Sequence, residues 1–116
     1  MKRLIAIAVV AAALTPLSAA AQERMSDARF LSANRCLAYA DIASLQGDPV
    51  DFTGLREAVT VGNRERTITS QARQNTRAIQ ARAVSYNADE LRERRDAACA
   101  SFVEIGLVQL GGSGNS

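Results

Sequence analysis

Apolar positions along this chain form one unbroken run and then three spaced patterns. The run, Leu4 to Leu14, contains no polar residue. After it, Phe30, Ala33, Cys36, Leu37, Ala40 and Ala43 recur at intervals of three and four, which puts them on one helical face. Ser26 is placed to cap that helix, and Asp27 suits its positive end. Gly47 and Pro49 stop it. The pattern predicts a helix over 26–46.

A second pattern starts densely with Leu55, Ala58, Val59 and Val61 and continues sparsely through Ile68, Ala72, Ile79, Ala83 and Tyr86. No alternation of period two is sustained, so strand is a poor reading. The spacing predicts helix over 54–85, with Gly62-Asn63 marking an interruption within 60–64. Asn87-Ala88-Asp89-Glu90 is a capping box, Asn at the cap and Glu three later. The helix it opens carries Leu91, Ala98, Cys99, Phe102, Val103, Gly106 and Leu110 on its apolar arc, which predicts an end near 110. Residues 111–116 read as a flexible tail with nothing to bury. There is no internal repeat. The fold class expected is all-α: a small up-down-up bundle of three helices, the middle one long and prone to break near Gly62.

The opening run belongs to a different kind of element. Met1-Lys2-Arg3 is cationic, Thr15-Pro16 breaks the apolar stretch, and Ala19-Ala20-Ala21 offers the small side chains a signal peptidase accepts. Cleavage before Gln22 is expected, leaving 22–110 as one helical domain. As a membrane anchor the run is short: eleven residues of helix span about 16 Å against roughly 30 Å of hydrocarbon. No cysteine follows to accept a lipid. The signal is bacterial in style and directs the chain to the periplasm or outside the cell. No later segment is apolar enough to span a bilayer.

Removing residues 1–21 changes the charge. Lys2 and Arg3 go with them, so 22–116 carries 12 Arg against 12 acids and is neutral overall. It has no Lys, no His and no Trp. A chain this small is one domain. A multidomain enzyme, a metal site built on His and a His-based catalytic triad are excluded.

Cys36 and Cys99 are the only cysteines. An even count in an exported chain predicts a disulfide. They lie too far apart for a redox Cys-x-x-Cys pair, two cysteines without His make a poor zinc site, and Ala-rich surroundings disfavour a reactive thiolate. Both sit near the middle of their helices. In an up-down-up bundle the first and last helices run parallel, so their midpoints meet. The bridge needs Cα atoms about 4.4–6.8 Å apart, closer than helix axes usually pack. Ala33, Ala40 and Ala43, with Gly106, provide the small neighbours this requires.

Little in the chain points to catalysis. There is no Gly-rich phosphate loop, and no hydroxyl has a His or Lys base. Asp89, Glu90 and Glu93 read as capping and dipole residues rather than paired catalytic acids. The expectation is a non-enzyme without a metal or other cofactor. The one polarised stretch lies between Ala58 and Ala88: Arg64, Arg66, Arg73, Arg77 and Arg82 against the single acid Glu65. Arg66, Arg73 and Arg77, seven and four apart, share a helical face. They suit an anion such as a lipopolysaccharide phosphate or an anionic lipid, because the planar guanidinium grips phosphate bidentately. The competing reading is internal: the flanking segments are each net −2 and could absorb the charge. Nucleic acid is disfavoured by the lack of interleaved aromatics. The stretch 63–78 is also too polar to be held by its own buried face. Thr67, Thr69, Ser70, Gln71, Gln74, Asn75 and Thr76 offer a hydrogen-bonding surface, either solvated or completed by another copy or another protein. Tyr39 and Tyr86 are placed at the bundle boundary, or stack on a ligand. Together these features favour an exported, non-catalytic protein that works by protein–protein contact as an adaptor, inhibitor or chaperone-like subunit. The alternative is an envelope-anion binder acting through Arg66, Arg73 and Arg77.

Overall fold

The computed structural model describes residues 24–111. The expected signal segment and the tail beyond Gly111 lie outside the described residues. Four α-helices form the domain: α1 (Asp27–Ala40), α2 (Thr53–Ala58), α3 (Arg66–Ala83) and α4 (Ala88–Glu104). A 3₁₀ turn at Ala43–Leu45 and two short strands, β1 (Val50–Asp51) and β2 (Gln109–Leu110), complete it.

Helix starts follow local chemistry. The Ser26 hydroxyl accepts the Arg29 N–H at 3.1 Å, with Asp27 in the first turn. At α4 the Asn87 side chain accepts the Glu90 N–H at 2.8 Å, and the Glu90 carboxylate accepts the Asn87 N–H at 3.0 Å.

Helix ends depart from the sequence pattern. The first helix stops at Ala40, not 46. The Gln46 side chain donates to the Asp41 carbonyl at 3.1 Å, and Ile42 turns extended. The 3₁₀ turn then drops Leu45 into the interior. The last helix stops at Glu104, not 110. Gly106 adopts φ +83°, the Gly106 N–H donates to the Val103 carbonyl at 3.1 Å, and the Leu107 N–H donates to the Phe102 carbonyl at 2.9 Å. This pair of bonds is a Schellman motif, which only a residue tolerant of positive φ closes without strain. Gly106 is therefore the helix terminator and not a small residue on its packing arc. The reversal buries Val108 and lays β2 antiparallel against β1, Val50 opposite Leu110.

The middle segment is two helices. Gly62, at φ +81°, breaks it between α2 and α3. The break sets the direction of everything after it. Residues 48–62 run back along the domain: Asp48 meets Arg92 and Arg95, Leu55 meets Leu107, and Asn63 meets Arg24. α3 thus starts beside the start of α1. Arg64 binds Asp27, while Ile79 and Arg82 share a groove with Tyr39. The two helices run parallel, and α4 returns antiparallel to α1: Arg29 lies over Phe102, Cys36 joins Cys99, and Tyr39 shares a groove with Arg94. The first and last helices were expected to run parallel. α2 and its flanking turns add one reversal, giving up-down-up-down. Midpoints of two crossing helices meet in either direction, so the disulfide still forms.

Cys36 and Cys99 are bonded, with Cα atoms 4.9 Å apart. Ala33, Leu37, Leu55, Phe102 and Val108 pack around them as the core. Gly54 permits the close approach of α2: a Cβ there would lie 3.0 Å from the Leu107 carbonyl oxygen.

Two arginine clamps hold the return segment. Asp48 receives Arg92 through both carboxylate oxygens, at 2.9 and 3.2 Å, and Arg95 at 2.6 Å. Arg95 is a buried charge. These bonds, Arg92 foremost, hold the Asp48 carboxyl below its ordinary range. At the other end the Arg64 side chain is 3% exposed. It donates to Asp27 at 2.7 Å and to the Met25 carbonyl at 2.6 Å, with its guanidinium 4.3 Å from the Phe30 ring centroid.

Candidate functional site

α3 is the most polar of the three long helices and buries the fewest residues of them. Only Ala72 and Ile79 are buried along it, with Ile68, Asn75 and Thr76 half-buried beside them. That seam packs on α1. Arg66, Arg73 and Arg77 are all exposed and occur at helical spacings that place them on the side away from the seam. Thr67, Gln71 and Gln74 are exposed along the same helix.

Charge pairing divides the arginines. Arg24, Arg56, Arg64, Arg92 and Arg95 are in ion pairs with Asp27, Asp41, Asp48, Asp89 or Asp96. Arg66, Arg73, Arg77 and Arg82 are in none among the described residues. Of the five arginines in the basic stretch, only Arg64 answers an acid of a neighbouring helix, and it does so as a buried clamp. The internal explanation of the basic stretch therefore covers one residue in five.

Two arginines that sequence patterning passed over lie near Tyr39. A groove of about 270 Å³ between α1 and α3 is lined by Arg35, Tyr39, Asn75, Ala78, Ile79 and Arg82. A second groove, between α1 and α4, shares Arg35 and Tyr39 and adds Arg94. Arg94 also stacks on Tyr86, 4.0 Å from the ring centroid. The i, i+4 spacing of Arg35 and Tyr39 was the available signal. What it could not show is which helices would flank them. Tyr39 and Tyr86 are both half-buried, at the edge of the bundle.

An apolar cleft of about 350 Å³ opens where the strand pair meets α4, beside the disulfide. Val50, Phe52, Val103 and Leu110 supply most of its wall, and Arg95, Asp96 and Glu104 lie at its edge. Ile105, just past α4, is 54% exposed.

Among the described residues no group of three or more His, Cys, Asp or Glu side chains is placed to hold a metal ion. No helix among them is long and apolar enough to cross a membrane. Comparison with protein-family models, with curated proteins and with solved structures finds no match to this chain.

Proposed function

We propose that this chain is an exported, non-catalytic helical protein that acts by binding another protein, and that the outer face of α3 makes the contact with an acidic surface of its partner. The observation that carries the reading is the state of Arg66, Arg73 and Arg77: exposed, on one side of one helix, and without a carboxylate in ion-pair range among the described residues. A helix seated by two buried side chains gains little from its own fold on that face. Three guanidinium groups with Thr67 and Gln74 among them form a donor-rich strip that carboxylates on a partner would satisfy. Export is supported by the cationic start, the apolar run and the Ala-rich cleavage pattern, and by a disulfide, which persists in oxidising compartments.

The strip also fits lipopolysaccharide or anionic lipid, because guanidinium and phosphate match. The protein reading is favoured because one exposed large apolar side chain alone among the described residues, Val84 just past the end of α3, continues the strip, which is too little apolar surface to seat a helix in a membrane interface. The test is a photo-crosslinker at Gln74 in the oxidised protein, with adducts from periplasmic extract identified by mass spectrometry. One specific adduct, lost when Arg66, Arg73 and Arg77 are all replaced by Gln, is the expected result. An adduct that survives the triple replacement contradicts the reading. Binding to anionic vesicles with no protein adduct would replace it by the lipid one.

A further inference from the structure

The groove between α1 and α3 has a property the α3 outer face lacks: it brings cations from two helices together. Arg35 enters from α1 and Arg82 from α3. Neither makes an ion pair or a side-chain hydrogen bond among the described residues. No acid lines the groove, and none stands three or four residues from either arginine along its own helix. Arg35 also borders the adjoining groove, where Arg94 is the facing charge and again no carboxylate lines the wall. Exposed cations that line one groove without a counter-charge make it favourable to an anion.

The rest of the lining is suited to the same guest. Tyr39 contributes a phenol and Asn75 a carboxamide, both half-buried and both able to donate to oxygen. Ile79 is buried beneath the groove and keeps water away from that side, which strengthens charge-assisted hydrogen bonds, while Ala78 lies exposed at the rim. A planar guanidinium on each wall presents paired N–H groups, the arrangement that fits a tetrahedral oxyanion of high charge. We propose that this groove binds a phosphate-type dianion, a phosphomonoester or inorganic phosphate, held between Arg35 and Arg82. The site is separate from Arg66, Arg73 and Arg77, which project from the other side of α3, and it does not depend on the partner contact proposed for them.

The experiment is an NMR titration of the exported, oxidised protein with sodium phosphate, matched to sodium chloride at equal ionic strength, following the arginine side-chain N–H signals. Arg35 and Arg82 should shift saturably with phosphate and not with chloride. Arg35→Gln and Arg82→Gln should each weaken binding about tenfold or more, as expected for the loss of a charged hydrogen-bonding partner. Arg35→Lys should weaken it measurably, since the fork is lost while the charge remains. Neither position supports the fold through a bond, so melting should not move, and loss of binding will not reflect unfolding. The Arg66, Arg73 and Arg77 triple replacement should leave phosphate affinity unchanged. Vesicles containing phosphatidic acid separate the two sources of the group: sedimentation with them, competed by free phosphate, identifies a lipid headgroup, and shifts with free phosphate alone identify a soluble ion. Uniform, unsaturated shifts at every exposed arginine, or binding indifferent to Arg35→Gln and Arg82→Gln, would overturn the proposal.

Discussion

The two sides of α1 are built on different terms. Towards α4 it is covalently joined, packed on Phe102 and Val108, and bordered by a return segment whose Asp48 is clamped by Arg92 and Arg95. Towards α3 it meets a seam of Ala72 and Ile79, behind which the charges are left unpaired. Arginine serves both sides. Its burial and its partners decide whether it holds the fold or remains available, and residue type alone does not. The α4 side therefore holds the covalent bond and the core cluster, while the outer face of α3 can keep a surface that the fold itself does not use.

Breaking the disulfide should have the largest effect. The bridge spans 63 positions, and closing a loop of that size stabilises by about 4 kcal/mol in the chain-entropy account. Total stability of a domain this small is on the order of 5–10 kcal/mol. Reduction, or replacement of both cysteines by Ala, should lower the melting temperature by roughly 10 °C or more in calorimetry. An unchanged melt would remove the pinned half from the account.

The clamp at the start of α3 comes next. Arg64→Met should cost about 2 kcal/mol, since it removes charged hydrogen bonds to Asp27 and Met25 and the stacking on Phe30. The loss is moderated because the Arg64 Nε is buried with no acceptor among the described residues, and that orphan disappears with it. By contrast Arg66→Gln, Arg73→Gln and Arg77→Gln should each stay within about 0.5 kcal/mol in urea titrations. Equal costs at Arg64 and Arg73 would erase the distinction between clamped and available arginines.

These two residues also show how far the sequence could be read. Arg64 and Arg66 lie two apart in one basic stretch, and nothing local distinguishes them. What separates them is the start of α3: the turn after Gly62 carries Arg64 onto the start of α1, whereas Arg66 already belongs to the helix. The disulfide and both helix caps were legible because cysteine parity and cap chemistry are local signals. The ends were not, since they depend on Gln46 reaching back to Asp41 and on Gly106 closing a Schellman turn inside an apolar pattern. The direction of α3 and α4 was hidden for the same reason: one short helix, α2, inserts a reversal that periodicity does not count. Pairings such as Arg95 with Asp48, 47 positions apart, leave no trace in spacing. At the surface, the α3 strip was legible as helical spacing, whereas the meeting of Arg35 with Arg82 needed the fold.

A smaller effect concerns acid. The Asp48 carboxyl is held below its ordinary range by Arg92 and then Arg95. A lowered folded-state value means that its contribution is present above the unfolded value and is lost as pH falls through the folded one. The clamp should therefore weaken below about pH 4, where an ordinary Asp protonates. Asp48→Asn should flatten that limb of the stability profile in pH-dependent melts. If it leaves the limb unchanged, Asp48 is not the group that couples the return segment to pH.

The division of labour between the two sides is tested most directly by the crosslinking yield at Gln74 in periplasmic extract, followed as salt is raised. With Arg66, Arg73 and Arg77 in place, the yield of the specific adduct should fall steeply over the physiological range, as exposed charge pairs are screened. With all three replaced by Gln it should be near zero at every salt concentration, although the protein remains folded. A yield that is flat with salt and equal in the two proteins would contradict the account, because it would place any contact on a surface other than the unpaired face of α3.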